Sequence, residues 1–189
     1  MKESIEFLLS QTKRKGMKAL LKRMSDDGFY ESPCSSGYHL AKEGGLAEHS
    51  LNVYNTIHAI NSALSAGYSN ETLAVVSLLH DLGKMGDYGK QNYVANMVNS
   101  KKKDENGEYI KEISKAKPYK KNVELAYIPH EVRSIKIASQ YINLTEEEEY
   151  AIFFHNGLFT KSGYDWKPNE LSMLLHFSDL WCSRCVENE

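Results

Sequence analysis

The sequence has no apolar run long enough to span a membrane. Its first residues, Met1, Lys2, Glu3, Ser4, Ile5 and Glu6, do not form a basic region followed by an unbroken hydrophobic stretch. Neither a membrane partner nor secretion is expected, and the default location is cytoplasmic. Three cysteines, Cys34, Cys182 and Cys185, are an odd and scattered set, which excludes a disulfide framework and implies reduced thiols. Cys182 and Cys185 form one C-x-x-C, but no second pair completes a zinc site. The motif lies in a helical tail rather than at a strand-to-helix turn, so core packing is expected of it. Charge of one sign is also missing: 23 basic and 25 acidic residues leave a net charge of -2. Composition as a whole therefore points to neither nucleic acid nor a membrane surface. With 41% hydrophobic residues in 189, the chain is expected to form a single domain with one buried core.

What is present is mostly helical periodicity. Ile5, Leu8, Leu9, Ala19, Leu20, Leu21 and Met24 predict an N-terminal helix over 1–25 with Gly16 as a break, its lysines and arginines forming a solvated face. Residues 26–44 read as a long loop, which in compact domains is often functional. After Gly44 and Gly45 a helix carries Leu46, Val53, Tyr54, Ile57 and Ile60, with His49 set inside the apolar stripe. His58 shows no partner and reads as a surface or packing residue. A central helix over 72–82, with Asn70 as its cap, contains Val75, Val76, Leu78 and Leu79 and ends in His80, Asp81, Leu82, Gly83 and Lys84.

The pattern then changes. Between Lys84 and Lys121 there are ten lysines against five acids, with Tyr88, Tyr93, Tyr109 and Tyr119 interleaved. Asn106 and Gly107 are a two-residue hairpin signal, so a small β-hairpin or ordered loop is expected around residues 87–122, as part of a Lys/Tyr-rich insertion over 85–122. That mixture suits phosphate contact and base stacking, or equally a solvated flap held by its tyrosines. Three further helices follow. One starts near Pro129 and His130 and carries Val132, Ile135, Ile137, Ala138 and Ile142. The next is capped by Thr145 with Glu148 and ends at His155, Asn156 and Gly157. A loop over 160–168 leads to the last, capped by Asn169, with Leu171, Leu174, Leu175, Leu180 and Trp181 expected in the core.

Adjacent side chains leave a helix about 100° apart, so His80 and Asp81 can grip one metal ion with slight twisting. A plain helix end, with Gly83 as the C′ residue and Lys84 favouring the dipole, is the competing reading. Six polar residues stand on otherwise apolar or helix-end positions: His49, His80, Asp81, His130, His155 and Asp179. An unpaired carboxylate in such a place is costly, and a cation offsets that cost. Imidazole with carboxylate suits Mn, Fe, Co, Ni or Zn.

A lone His, then His-Asp, then two spaced His, then Asp on a final helix resembles the HD-domain superfamily of metal-dependent phosphohydrolases. Gly44, Gly45, Leu46, Ala47, Glu48 and His49 are similar to the start of its first ligand helix, and His80 to Lys84 to an HD-x-G-K variant. No GYP extension follows Asp81, which argues against a cyclic-di-GMP phosphodiesterase. The resemblance covers residues from about 45 to 179 and implies an all-α helical bundle with its core over 45–182. It implies one metal on His49, His80, Asp81 and Asp179, and a second on His130 and His155 with Asp81 bridging. Hydroxide held between the two divalent ions would then attack phosphorus in line with the leaving group. On this reading Asp81 and Lys84 are the catalytic residues, and Lys84 and His39 meet the substrate, although His39 reads equally well as a surface residue. Expected partners are a phosphate-containing small molecule or nucleotide, or a short single-stranded nucleic acid. A metal- or nucleotide-binding regulatory module without turnover, and a nuclease that binds single-stranded nucleic acid, are the alternatives.

Overall fold

A computed structural model describes residues 1–159 and 166–187. Helices α1 (Lys2–Ser10) and α2 (Met17–Asp26) bury Ile5, Leu9, Leu20 and Met24. The helix expected over 1–25 with a break at Gly16 is thus two helices. Gly16 divides them at φ +97°, with its Cα against the Tyr141 carbonyl, where a Cβ has no room. Helix α3 (Gly45–Leu64) follows the long loop and buries Leu46, His49, Val53 and Ile57.

Helix α4 (Asn70–Leu79) starts two residues earlier than expected and its cap lies one residue earlier, because the Ser69 hydroxyl, not Asn70, accepts the Thr72 N–H. Leu73, Val75, Val76, Leu78 and Leu79 are all fully buried, so α4 is apolar on every side and forms the centre of the core. One apolar cluster joins α4 to residues of α1, α2 and α3, and a second joins α3 and α4 to the C-terminal helices. The helix stops at Leu79, short of the expected Leu82, and His80 is its C-cap. A 3-10 turn (Leu82–Met85) follows.

Gly83 in that turn is not a left-handed C′ residue. It is the point where α5 (His130–Ser139) touches the turn: the Gly83 N–H donates to Ser134 Oγ at 2.8 Å. A Cβ on Gly83 would lie 2.8 Å from Arg133 Cβ and 2.9 Å from Ser134 N, and closer still to the His130 carbonyl oxygen.

Three antiparallel strand pairs occur among the described residues, so the fold is helical with small sheets rather than all-α. Strand β1 (Gly86–Asp87) pairs with β2 (Lys90–Gln91), β3 (Tyr93–Ala95) with β6 (Tyr119–Lys121), and β4 (Met97–Lys103) with β5 (Tyr109–Ile113). The β4–β5 turn is longer than two residues. Asp104 N–H donates to the Glu108 carbonyl, the Asp104 carboxylate accepts the N–H groups of Asn106 and Glu108, and Gly107 takes φ +80°. Buried Asp87 roots the insertion, accepting from Arg23 at 3.2 Å and Lys136 at 2.5 Å.

Helices α6 (Glu146–Phe153) and α7 (Glu170–Trp181) both begin in capping boxes, Thr145 with Glu148 and Asn169 with Ser172. Glu148 is fully buried and receives Arg14 at 2.7 and 3.0 Å, while Arg14 also reaches Glu71 at 2.6 Å. Within α7, Leu171, Leu174 and Leu175 are buried as expected. Leu180 is half-buried, and Trp181 is 49% exposed, stacked on Phe177 at the surface. Of the loop expected over 160–168, residues 160–165 lie outside the described residues. A π-helical turn (Cys182–Val186) continues α7. Cys182 is buried against Thr56 while Cys185 is exposed, so the C-x-x-C thiols face different surroundings. No helix among the described residues is long and apolar enough to cross a membrane.

Candidate metal centre

Five helices deliver the polar residues to one place. His49 comes from the second turn of α3, where the apolar stripe forces it inward, and it is fully buried. His80 caps the end of α4 with helical backbone angles, its N–H still bonded to the Val76 carbonyl at 3.1 Å, and Asp81 is the first residue to leave the helix, at φ -103° and ψ 11°. His130 opens α5, His155 follows α6, and Asp179 lies in the last turn of α7.

The imidazoles are oriented by their Nδ1 atoms. His80 Nδ1 donates to the Ser77 carbonyl at 2.8 Å and His155 Nδ1 to the Ile152 carbonyl at 2.7 Å. His130 Nδ1 lies 3.1 Å from Glu131, and His49 Nδ1 lies 3.0 Å from Glu187. Every Nε2 therefore faces inward. The two pairs of Nε2 atoms, His49 with His80 and His130 with His155, are 3.3 and 3.1 Å apart. Two nitrogens at about 2.1 Å from a shared cation are about 3 Å from each other, so these separations suit metal ligation.

Asp81 stands between the pairs. Its Oδ2 lies 3.4 Å from His80 Nε2 and 3.6 Å from His49 Nε2, and its Oδ1 lies 3.1 Å from His130 Nε2 and 3.6 Å from His155 Nε2. Asp179 Oδ1 adds a second carboxylate 3.1 Å from His49 Nε2. Asp81 Oδ1 is buried and has no hydrogen-bond donor with good geometry. A buried carboxylate oxygen in that condition is costly, and a cation relieves it. The donor set thus fits divalent metal: His49, His80 and Asp81 form one cluster, Asp81, His130 and His155 another, and His80, His155 and Asp179 a third.

Electrostatics agree with the geometry. Burial alone would raise the Asp81 pKa, but Lys84 and His80 hold it well below the usual carboxylate range. Asp179 is likewise held low against burial, chiefly by His49. Burial, with His80 adding to it, pushes His155 down to about 3, which leaves it a neutral imidazole with a free lone pair. Burial would also lower His49, yet Cys34, Asp179 and Glu187 keep it well above the ordinary histidine range. A cation at His49 Nε2 would replace that proton.

A cavity of about 630 Å³ opens on this cluster, lined by Lys84, His39, His155, Asp179, Arg184 and Tyr38 among others. Lys84 Nζ is 2.5 Å from Asp81 Oδ2, and its charge is held there by Asp81 against the effect of burial. His39 is no surface residue: it sits in the cavity wall, 3.3 Å from the Cys34 sulfur, and burial with His49 pushes it down to about 4. His58 lies apart, its ring tilted at 50° against Tyr54.

Sequence reasoning missed several neighbours. Cys34 is fully buried 4.0 Å from Asp81 Oδ2, and His176 donates from Nδ1 to the His155 carbonyl at 2.8 Å. Glu187 is the largest omission. Nothing in its spacing marks it, since a regular α-helix would carry it about 80° round from Asp179 and two turns away. The π-helical turn, closed by Glu187 N–H to the Cys182 carbonyl at 3.0 Å, brings it back.

The family model described as HD domain matches residues 46–149. That span holds His49, His80, Asp81 and His130 and stops before His155 and Asp179. No curated protein and no solved structure matches the chain.

Proposed function

The chain belongs to the HD domain family, and from that premise we propose that it hydrolyses a phosphomonoester or phosphodiester, of a nucleotide or oligonucleotide, at a pair of divalent transition-metal ions. Metal-dependent hydrolysis is the general property of the family. The observation that carries the finer reading is the Asp81 carboxylate, with each oxygen facing its own histidine pair. His49, His80, Asp81 and Asp179 would hold one ion, and His130, His155 and Asp81 the other. Bound there, such ions supply Lewis acidity and lower the pKa of a coordinated water towards neutrality.

The remaining work belongs to the protein. Lys84, protonated beside Asp81 and open to the cavity, offers a fixed positive charge to a non-bridging phosphate oxygen. His39, on the same cavity wall, faces the substrate as a neutral imidazole. Burial of Asp81 and His49 excludes bulk water from one side of the reacting centre. In domain terms we assign one unit, a core over 45–182 with the N-terminal helices and the 85–122 insertion added to it.

Short single-stranded nucleic acid is the second reading, supported by exposed Lys120 and Lys121 on β6 and by Lys103 over the Tyr109 ring. The ribbon over 97–113 supports it less than its lysines suggest, because Asp104, Glu105, Glu108 and Glu112 balance Lys101, Lys102, Lys103 and Lys111.

The test is elemental analysis of the purified protein beside hydrolysis of a bis-aryl phosphodiester with and without added Mn. Two ions per chain with turnover is the expected result. Absence of both after reconstitution would leave a binding module. Asp81→Ala is expected to lose metal and turnover while keeping its helical circular dichroism, and full activity of that variant with Mn would refute the mechanism.

A further inference from the structure

We propose that Glu187 is a positioning residue that orients His49 and strengthens it as a metal ligand, a role that rests on His49 ligating a cation. Glu187 is 7% exposed, and its two carboxylate oxygens lie 3.1 and 3.0 Å from His49 Nδ1. Asn52, one turn beyond His49 on the same face of α3, donates Nδ2–H to Glu187 Oε1 at 3.0 Å. The carboxylate is thus held by two groups of one helix and cannot rotate without breaking one bond. With Nδ1 engaged outward, the His49 ring has its Nε2 directed at Asp179, His80 and Asp81.

The other inward-facing histidines are oriented differently. His80 and His155 give their Nδ1 protons to the neutral carbonyls of Ser77 and Ile152, and His130 faces Glu131 while 28% exposed. His49 is matched to a buried anion delivered from the far end of the described chain by the π-helical turn after Asp179. A hydrogen bond to an ionised acceptor is roughly twice as strong as one to a neutral acceptor. It also raises the basicity of the opposite ring nitrogen, and loss of such outer partners typically costs about 10–100-fold in metal affinity. The end of α7 and the π-helical turn after it therefore supply both Asp179, at His49 Nε2, and Glu187, at His49 Nδ1.

Glu187→Gln keeps an acceptor oxygen and the side-chain volume but removes the charge, and Glu187→Ala removes the partner altogether. The measurements are titration of metal-free protein with Mn and Co, urea unfolding of the metal-free forms, and 15N-resolved histidine spectra. In wild type two ions are expected, with His49 carrying its proton on Nδ1 in the metal-bound form. Glu187→Gln should weaken one ion about 10-fold and Glu187→Ala about 100-fold. The second ion should keep its affinity, and the urea midpoint of Glu187→Gln should not move. The ion that remains in His155→Ala protein should be the one that Glu187→Gln weakens. Two unchanged affinities in Glu187→Ala overturn the role of Glu187, as does equal weakening of both ions alongside lost stability. Wild-type protein that takes up no ion overturns the metal centre itself, a failure seen before any variant is made.

Discussion

Gly83→Ala probes the coupling between fold and site most directly. Gly83 has an ordinary backbone conformation, so the effect of the methyl group is steric. The added Cβ would stand 2.8 Å from Arg133 Cβ and 2.9 Å from Ser134 N. Carbon atoms in contact need about 3.5–4.0 Å, so the first turn of α5 must retreat by about 1 Å. Overpacking of that kind costs about 1–3 kcal/mol. In a chain of this size each kcal/mol moves Tm by roughly 2–4 °C, giving an expected fall of about 5 °C. His130 starts that turn, with its Nε2 3.1 Å from both Asp81 Oδ1 and His155 Nε2. A retreat of about 1 Å exceeds the roughly 0.5 Å within which ligands must be held. The ion on His130 and His155 should be lost and the ion on His49, His80 and Asp179 retained. Elemental analysis after gel filtration, with thermal unfolding followed by circular dichroism, measures both effects. Gly83→Ala protein with two tightly held ions and a Tm within about 1 °C of wild type would refute the reasoning.

Two further predictions concern the charge network of Arg14. Arg14→Met leaves the Glu148 carboxylate fully buried without its cation, and should cost about 3–5 kcal/mol in urea unfolding. Adding Glu148→Leu should restore most of that, and a double variant no more stable than Arg14→Met would contradict the assignment. The Lys13 backbone N–H and the Arg14 side chain hold the Glu71 carboxyl below its ordinary pKa. A carboxyl depressed by folding contributes stability above its unfolded pKa and loses it as pH falls through the folded one. The urea midpoint of metal-free protein should therefore fall as the medium is acidified through the carboxylate range, and fall less in Glu71→Gln. An identical pH slope in the two proteins would exclude Glu71 as a contributor.

Residues of the candidate site were legible in the sequence to differing degrees. His49 is conspicuous because it interrupts the stripe of Leu46, Val53 and Ile57, and Asp179 because it falls in an apolar helix. Both caps of the C-terminal helices were also readable, since a capping box needs only residues three apart along the chain. The cap of α4 was placed one residue late, as Ser69 and Asn70 are equally good acceptors and only the backbone angle of Ser69 selects it. Trp181 was expected in the core because it extends the periodicity of α7, but that helix runs past the elements that cover it. The N-terminal stretch had the correct apolar positions and a break at Gly16, while the contact that leaves no room for a side chain there, the Tyr141 carbonyl, lies far away in sequence.

By itself the sequence determined what local chemistry can carry: the helical periods, the caps, the hairpin signal and the set of side chains too polar for their surroundings. Which polar groups meet was decided by the tertiary structure, because the partners of His49 come from residues as distant as Glu187. The place of Asp81 between the two histidine pairs depends on α4 ending at Leu79 and α5 pressing on Gly83. The entry of His39 into the cavity wall, and of Cys34 behind it beside Asp81, depends on how the long loop closes over that point. No short-range spacing encodes those meetings, since each depends on the packing of elements that are separate along the chain.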